Sequence, residues 1–205
     1  MIEAKELVKK YGNFTAADNL SLTLDKSECV VLLGSNGSGK STLIKMLAMV
    51  IKPTSGEITV DNQKGKKARI KIAYCPQDIV LFEELTVKEN LFAWSSLKGK
   101  ESVKRADYLI SELDMNSFVK KRVDRLSGGQ RRRVNLAVAL MGKYDYILLD
   151  EPLAGIDEYG AECISSLLKK EKDNGCGLLL TEHNPKVLLP LTDRVLKLDG
   201  GHFTD

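Results

Sequence analysis

Long apolar runs are missing from this chain, and that lack does the first sorting. A membrane-spanning helix needs roughly 18 or more consecutive apolar residues, and every apolar run in the 205 residues stops short of that length. The opening, "MIEAKELVKKYGNF", has no apolar stretch of the kind that marks a secretory signal. Both lacks predict a cytoplasmic protein. If it serves a membrane process it sits peripherally on the cytoplasmic face, through another chain that supplies the membrane part. Histidine is scarce, with only 2, and the 4 cysteines (Cys29, Cys75, Cys163, Cys176) stand far apart, with no CxxC pair and no histidine at ligand spacing. Nothing here fits a structural zinc site, and the thiols read as reduced and largely buried. Charge of one sign is not in excess either: 31 Lys and Arg against 28 Asp and Glu leave +3, scattered along the chain. Nucleic acid is therefore not expected as a partner, and the run Arg131 to Arg133 reads as a partly solvated helix face. No Pro/Gly-rich linker is long enough to split the chain, and 43% hydrophobic residues suffice for one domain with a proper core.

What is present alternates. Short runs rich in Val, Ile and Leu read as buried strands: "CVVLLG" from Cys29, "IKIAYC" from Ile70, "YILLD" from Tyr146 and "GLLLTE" from Gly177. Helical patterns fall between them, so the chain is α/β with a mainly parallel core sheet and flanking helices. "KELVKKY", "LSLTLD", "GEITVD" and "RVLKLDG" alternate apolar with polar residues, which predicts half-exposed antiparallel strands in a smaller flanking sheet. Between Leu85 and Gly142 strand signals vanish. Thr86 and Glu89 have capping-box spacing at one helix start, and Val103, Ala106, Leu109, Ile110 and Leu113 form an apolar stripe on another.

The strongest chemical signal is "GSNGSGKST", Gly34 to Thr42, which fits G-x-x-x-x-G-K-[ST] between a predicted strand and a predicted helix. Gly34, Gly37 and Gly39 let the backbone wrap closely on phosphate, so that the whole loop, with Ser35, Asn36, Ser38 and Thr42, binds the nucleotide through consecutive backbone N–H groups. Lys40 brings positive charge to the phosphate oxygens, and Ser41 is free to bind Mg²⁺. "YILLDEP" should form a strand beside the first one and deliver Asp150 to the carboxyl edge, where open α/β sheets bind ligands. Asp150 would complete the magnesium shell, and Glu151 would orient or deprotonate an attacking water. A second stretch, "LSGGQRRR" from Leu126, bares the backbone at Ser127, Gly128 and Gly129 before another apolar-periodic run, "VNLAVALM". It reads as an open helix N-terminus, and such ends attract anions.

Together these stretches resemble the ATP-binding subunits of ABC transporters, over nearly the whole chain. Gly34 to Thr42 is similar to the family's Walker A motif, "ILLDEP" to Walker B, and "LSGGQ", Leu126 to Gln130, to the signature motif. Gln77 in "CPQD" resembles the Q-loop glutamine, Asp157 closing "LAGID" the D-loop aspartate, and His183 in "TEHN" the switch histidine. Tyr11 stands where the family has an aromatic that stacks on adenine. The resemblance implies a P-loop NTPase fold in a single domain, 1–205. A RecA-like core and antiparallel β subdomain would occupy 1–84 and 143–205, and a helical subdomain carrying the signature would occupy 85–142.

The resemblance further implies ATP and Mg²⁺ as cofactors, with Gln77 joining Ser41 and Asp150 at the metal, and catalysis by Glu151, His183, Gln77 and Lys40. Each ATP would lie between the cradle of one subunit and Ser127, Gly128, Gly129, Gln130 and Asp157 of a second, in a homodimer. ATP would drive that dimerisation and so power a separate transmembrane permease, docked near Asp78 to Leu97 where Phe82, Phe92 and Trp94 lie. "AGID" in place of a Ser/Thr-rich form, and acidic Glu182 before the histidine, resemble the branched-chain amino-acid and lipopolysaccharide-export ATPases more than drug exporters. The rival reading is a soluble non-transport ABC ATPase acting on nucleic acid or the ribosome. Its DNA-repair members need long coiled coils between the Walker motifs and its translation members carry two cassettes, and this sequence has neither.

Overall fold

The computed structural model describes residues 1–182 and 186–204 of the chain. It opens with a hairpin, β1 (Ile2–Tyr11) and β2 (Phe14–Leu24), turned by Gly12 at φ 58° and Asn13. A two-residue loop with positive φ matches the twist of the strands it joins. After β3 (Cys29–Leu33) come α1 (Lys40–Leu47), β4 (Ser55–Val60), α2 (Gly65–Arg69) and β5 (Ile72–Cys75). The helical stretch follows as α3 (Val87–Ala93), α4 (Gly99–Glu112) and α5 (Gly128–Ala139). The chain then returns through β6 (Tyr146–Asp150), α6 (Glu158–Asp173), β7 (Gly177–Thr181), β8 (Arg194–Asp199) and β9 (His202–Thr204).

The strands form two sheets: antiparallel β2-β1-β4, and a six-stranded sheet β5-β6-β7-β3-β8-β9 that is parallel except at β9. Side chains alternate across a strand, and the central strands use both faces. Val30 and Leu32 of β3, Leu148 of β6 and Leu179 of β7 face α1 and the antiparallel sheet, packing on Ile2, Leu7, Leu20, Leu43 and Ile44. Their neighbours Val31, Leu149, Leu178 and Leu180 face α6 and the helical stretch, against Leu109, Leu136, Ile164 and Leu167. Each fully buried Leu, Val or Ile contributes about 1.5–3 kcal/mol relative to exposure. The central strands therefore hold the sheet between two cores and fix where its carboxyl edge lies.

Several sequence expectations are corrected here. "RVLKLDG" does not join the small sheet: β8 runs parallel to β3 in the main one, Val30 opposite Arg194 through Leu33 opposite Lys197. Its alternation reflects half-exposure near the sheet margin, which says nothing about pairing direction. The strand of "YILLD" is not beside the first one, because β7 lies between β6 and β3. "IKIAYC" starts late: α2 occupies the chain to Arg69 and Ile70 is exposed. On α4 the stripe is buried at Ala106, Leu109 and Ile110, and continues at Leu113 just beyond, while Val103 faces solvent. Phe92 is partly buried against the core, so of the three aromatics named near the insert only Phe82 and Trp94 are well exposed.

Candidate active site

Strand β3 carries the chain to Gly34, and the loop turns back to start α1 at Lys40. The N-cap of α1 is Gly39, at φ 106°, with no side-chain cap. The first amides of the helix are thus left for an outside acceptor, and an anion suits them best. Two of the glycines are imposed by close packing. A Cβ on Gly34 would lie 2.2 Å from the Leu198 carbonyl oxygen and 2.6 Å from Ser38 Oγ, and one on Gly39 would lie 2.3 Å from the Ala16 carbonyl oxygen. Gly37, at φ 81°, faces open space and needs glycine for its conformation alone. Ser38 Oγ is buried with no hydrogen-bond partner among the described residues. Lys40 is buried, and its ammonium donates to the carbonyls of Gly34 at 2.7 Å and Ser35 at 3.0 Å. The recess measures about 300 Å³ and is lined by Asn36 to Thr42, Phe14, Ala16, Gln77 and Glu151. Gly34 and Ser35 stand behind it, holding the lysine.

The acidic end of the site is assembled from two strands. Asp150, buried at the end of β6, accepts from Thr181 Oγ1 at 2.7 Å and Ser41 Oγ at 3.2 Å. A carboxylate and a hydroxyl this close offer the hard oxygen donors that Mg²⁺ takes beside phosphate and water. Glu151 follows at φ 50°, a left-handed conformation costly for a residue with a Cβ. Its amide donates to the hydroxyl of Thr181 at 2.9 Å and to the carbonyl of Thr181 at 3.2 Å, which holds the reversed backbone in place. The Glu151 carboxylate accepts from Gln77 Nε2 at 2.8 Å. Glu182, also buried, accepts from the Leu153 amide at 2.9 Å and ties β7 to the segment after Glu151. His183 lies outside the described residues.

Tyr11 and Phe14 are register partners across the β1–β2 turn, and both are exposed. Phe14 lines the recess, while Tyr11 is not among its lining residues and has the Lys9 ammonium 5.2 Å from its ring centre. Sequence reading named Tyr11 and did not name its neighbour Phe14. The available signal was an aromatic directly after a Gly-Asn turn. Thr181 and Glu182 were missed as partners because nothing local announces a bond across β6 and β7.

The second glycine-rich turn is less open than its sequence predicts. Ser127 caps α5 and forms a complete capping box: its hydroxyl accepts from the Gln130 amide at 3.3 Å, and Gln130 Oε1 accepts from the Ser127 amide at 3.1 Å. Gly128 and Gly129 lie outside that exchange. Asp157 caps α6 in turn, accepting from the Gly160 amide at 2.9 Å. Ser127, Gly129, Gln130, Arg133, Gly155 and Asp157 line a separate cavity of about 210 Å³, which shares no residue with the recess. The three arginines are a partly solvated face, as expected, and each is also tied down. Arg131 reaches Glu83, Arg132 the Gln77 carbonyl, and Arg133 the carbonyls of Leu113 and Asp114.

All four cysteines are free. Burial pushes the thiols of Cys29 and Cys75 up to about 12 and that of Cys176 to about 11, so none of these three is a thiolate at neutral pH.

The sequence profile of the family described as ABC transporter matches residues 17–154. The linearmycin resistance ATP-binding protein LnrL of Bacillus subtilis is 35% identical over 99% of this chain and 68% of that protein. The lipopolysaccharide export system ATP-binding protein LptB of Escherichia coli K12 is 34% identical over 98% of this chain and 88% of that protein. Among solved structures, the dimeric post-hydrolysis state of the ATP-binding cassette MJ0796, bound to ADP and Pi, superposes with a TM-score of 0.89. It is 29% identical and is covered over 100% of this chain and 97% of that one.

Proposed function

This chain belongs to the ABC transporter family, as one of its ATP-hydrolysing, ATP-binding subunits, and from that premise we propose that two copies close head to tail on two ATP molecules. In each site the amides of Gly34 to Thr42 and the Lys40 ammonium hold the phosphates, and Tyr11, with Phe14 beside it, takes the adenine. The hydroxyl of Ser41, the carboxylate of Asp150 and the Gln77 amide oxygen hold Mg²⁺, whose charge neutralises the phosphate oxygens. Glu151 orients the attacking water and accepts its proton, and Gln77 presents that carboxylate to the recess. Asp150 is bonded to Ser41 and Thr181 while Glu151 is bonded to Gln77, so neighbouring acids serve metal and water separately. His183 is assigned to the γ-phosphate by family resemblance. From the second copy come the amides of Gly128 and Gly129, the side chains of Ser127 and Gln130, and Asp157.

One observation carries the dimer reading: the chain has two glycine-rich helix starts that line separate cavities, so neither can complete the other within one copy. Hydrogen bonds to a charged phosphate contribute about 1.5–3 kcal/mol each, and a few per site over two sites offset an association cost of roughly 4–15 kcal/mol. Loss of the γ-phosphate then releases the pair. The helical stretch, 85–142, acts as the subdomain that carries the signature. A permease on a separate chain docks on the exposed apolar residues between Asp78 and Leu97, where the rings of Phe82 and Trp94 stack 5.7 Å apart beside exposed Ile79 and Val80. Sedimentation of the Glu151→Gln variant tests the switch. It should be dimeric with ATP and monomeric with ADP, and equal dimer fractions with the two nucleotides would overturn the reading.

A further inference from the structure

The buried side of α5 carries a single polar residue. Asn135 is 3% exposed among Val134, Leu136, Ala137 and Val138. A buried amide is costly unless its polar atoms are paired, and both ends of this one are paired with the same loop. Its Oδ1 accepts from the Val80 amide at 2.9 Å. Its Nδ2 points to the carbonyls of Pro76 at 3.4 Å and Asp78 at 3.3 Å. Three residues earlier, on the same helix face, Arg132 donates to the carbonyl of Gln77 itself. Helix α5 therefore grips the backbone on both sides of Gln77 and at Gln77, while the Gln77 side chain reaches Glu151 at 2.8 Å.

We infer that Asn135, assisted by Arg132, is a positioning residue for hydrolysis: it sets the place of Gln77 opposite Glu151 from the helix whose first turn is the signature motif. The inference rests on the reading of Gln77 and Glu151 given above. It adds a physical link between two half-sites of one chain. A helix is stiff along its axis, and Ser127 and Asn135 lie little more than two turns apart on it. A shift of the Ser127 turn on meeting a second subunit's nucleotide moves the grip on residues 76–80, and so moves Gln77 at this subunit's own nucleotide.

The test is a double-mutant cycle on the full chain, with phosphate release and nucleotide binding measured for each protein. Asn135→Asp keeps the shape and the acceptor for Val80 but loses the donor to Pro76 and Asp78. It should lower kcat about ten- to a hundredfold, the range expected for misplacing a reacting group by an ångström or less, with KM for ATP within about twofold. Gln77→Ala should lower kcat by itself, and adding Asn135→Asp to it should cost nothing more, because both act through one side chain. Losses that multiply in the double variant would show that Asn135 serves the fold alone, and would overturn the inference. Wild-type turnover by Gln77→Ala would refute the role of Gln77 first and this inference with it. Should Asn135→Asp fail to fold, Arg132→Ala carries the same cycle from a half-buried position. Its smaller loss should also vanish in the Gln77→Ala background.

Discussion

The helices that begin at Lys40 and Gly128 both start on glycine-rich turns, yet the glycines are there for different reasons. In the cradle, packing inside the chain demands Gly34 and Gly39, since carbonyls of Leu198 and Ala16 stand 2.2 and 2.3 Å from where a Cβ would be, and conformation demands Gly37. At the signature turn a Cβ on Gly128 meets nothing within 4 Å, and one on Gly129 comes no nearer than 3.6 Å, to the Gly155 carbonyl oxygen. The first helix has no side-chain cap, while the second carries a full capping box. The cradle is stripped of side-chain caps and shaped by its own packing, as the proposed phosphate site requires. The signature turn is satisfied by itself and has bare backbone to spare. Glycines that no described residue requires support a close approach from outside the chain.

The sharpest way to break this contrast is to damage each turn and ask which step fails. Lys40→Ala should weaken nucleotide binding by a single chain roughly 10- to 150-fold, the value of one charge-assisted hydrogen bond. Ser127→Arg should leave that binding unchanged within about twofold while cutting steady-state turnover by a similar 10- to 150-fold or more. Fluorescent-nucleotide titration and phosphate release measure the two steps. If Ser127→Arg weakens binding by the lone chain, the turns are not separate devices.

A smaller effect concerns the fold itself. Gly39→Ala combines positive φ with a backbone clash and should destabilise by about 1–3 kcal/mol or more. Gly128→Ala, in open space at a helix start, should be neutral or stabilise by up to about 1 kcal/mol. Chemical denaturation with the slopes compared reads both. Equal losses would mean that the signature glycines serve the fold after all.

The smallest expected effect separates the two regions by pH. In the half that carries the cradle, burial alone would raise the Asp61 carboxyl. Hydrogen bonds from Lys71 at 2.7 Å, from the Met1 ammonium at 2.5 Å and from the Tyr146 hydroxyl outweigh it and hold the carboxyl well below its usual range. A depressed folded value stabilises the protein in full above the unfolded value, about 3.9, and that part is lost as pH falls toward the folded value. Near the signature, Arg131 pairs with an exposed Glu83 at 3.3 Å, the kind of surface pair that contributes little. Asp61→Asn should therefore flatten the fall in melting temperature below about pH 4, and Glu83→Gln should leave that limb as it is.

Local chemistry was legible along the chain, and contacts between distant segments were not. The cradle could be read because its glycines, lysine and serine are consecutive and their task is local. "YILLD" gave a strand at the observed bounds and "GLLLTE" one that ends a residue early, at Thr181, because both faces of each are buried. The box at Thr86 and Glu89 formed as its spacing predicts. Strand direction at "RVLKLDG" and the insertion of β7 between β6 and β3 were lost, since side-chain period carries no record of neighbours. Asn135 did leave a trace, a polar residue inside the apolar run "VNLAVALM", but its partners lie more than fifty positions away.

By itself the sequence determined the α/β class, the phosphate loop and the acids at a strand end, because each depends on neighbours a few bonds apart. Only the tertiary structure decided that Thr181 bridges Asp150 and Glu151, that Phe14 lines the recess, and that α5 holds the loop of Gln77. Those arrangements arise when separate segments bury their apolar faces against a common core. Burial is non-directional, so it is the final packing, and no local pattern, that chooses which polar groups meet.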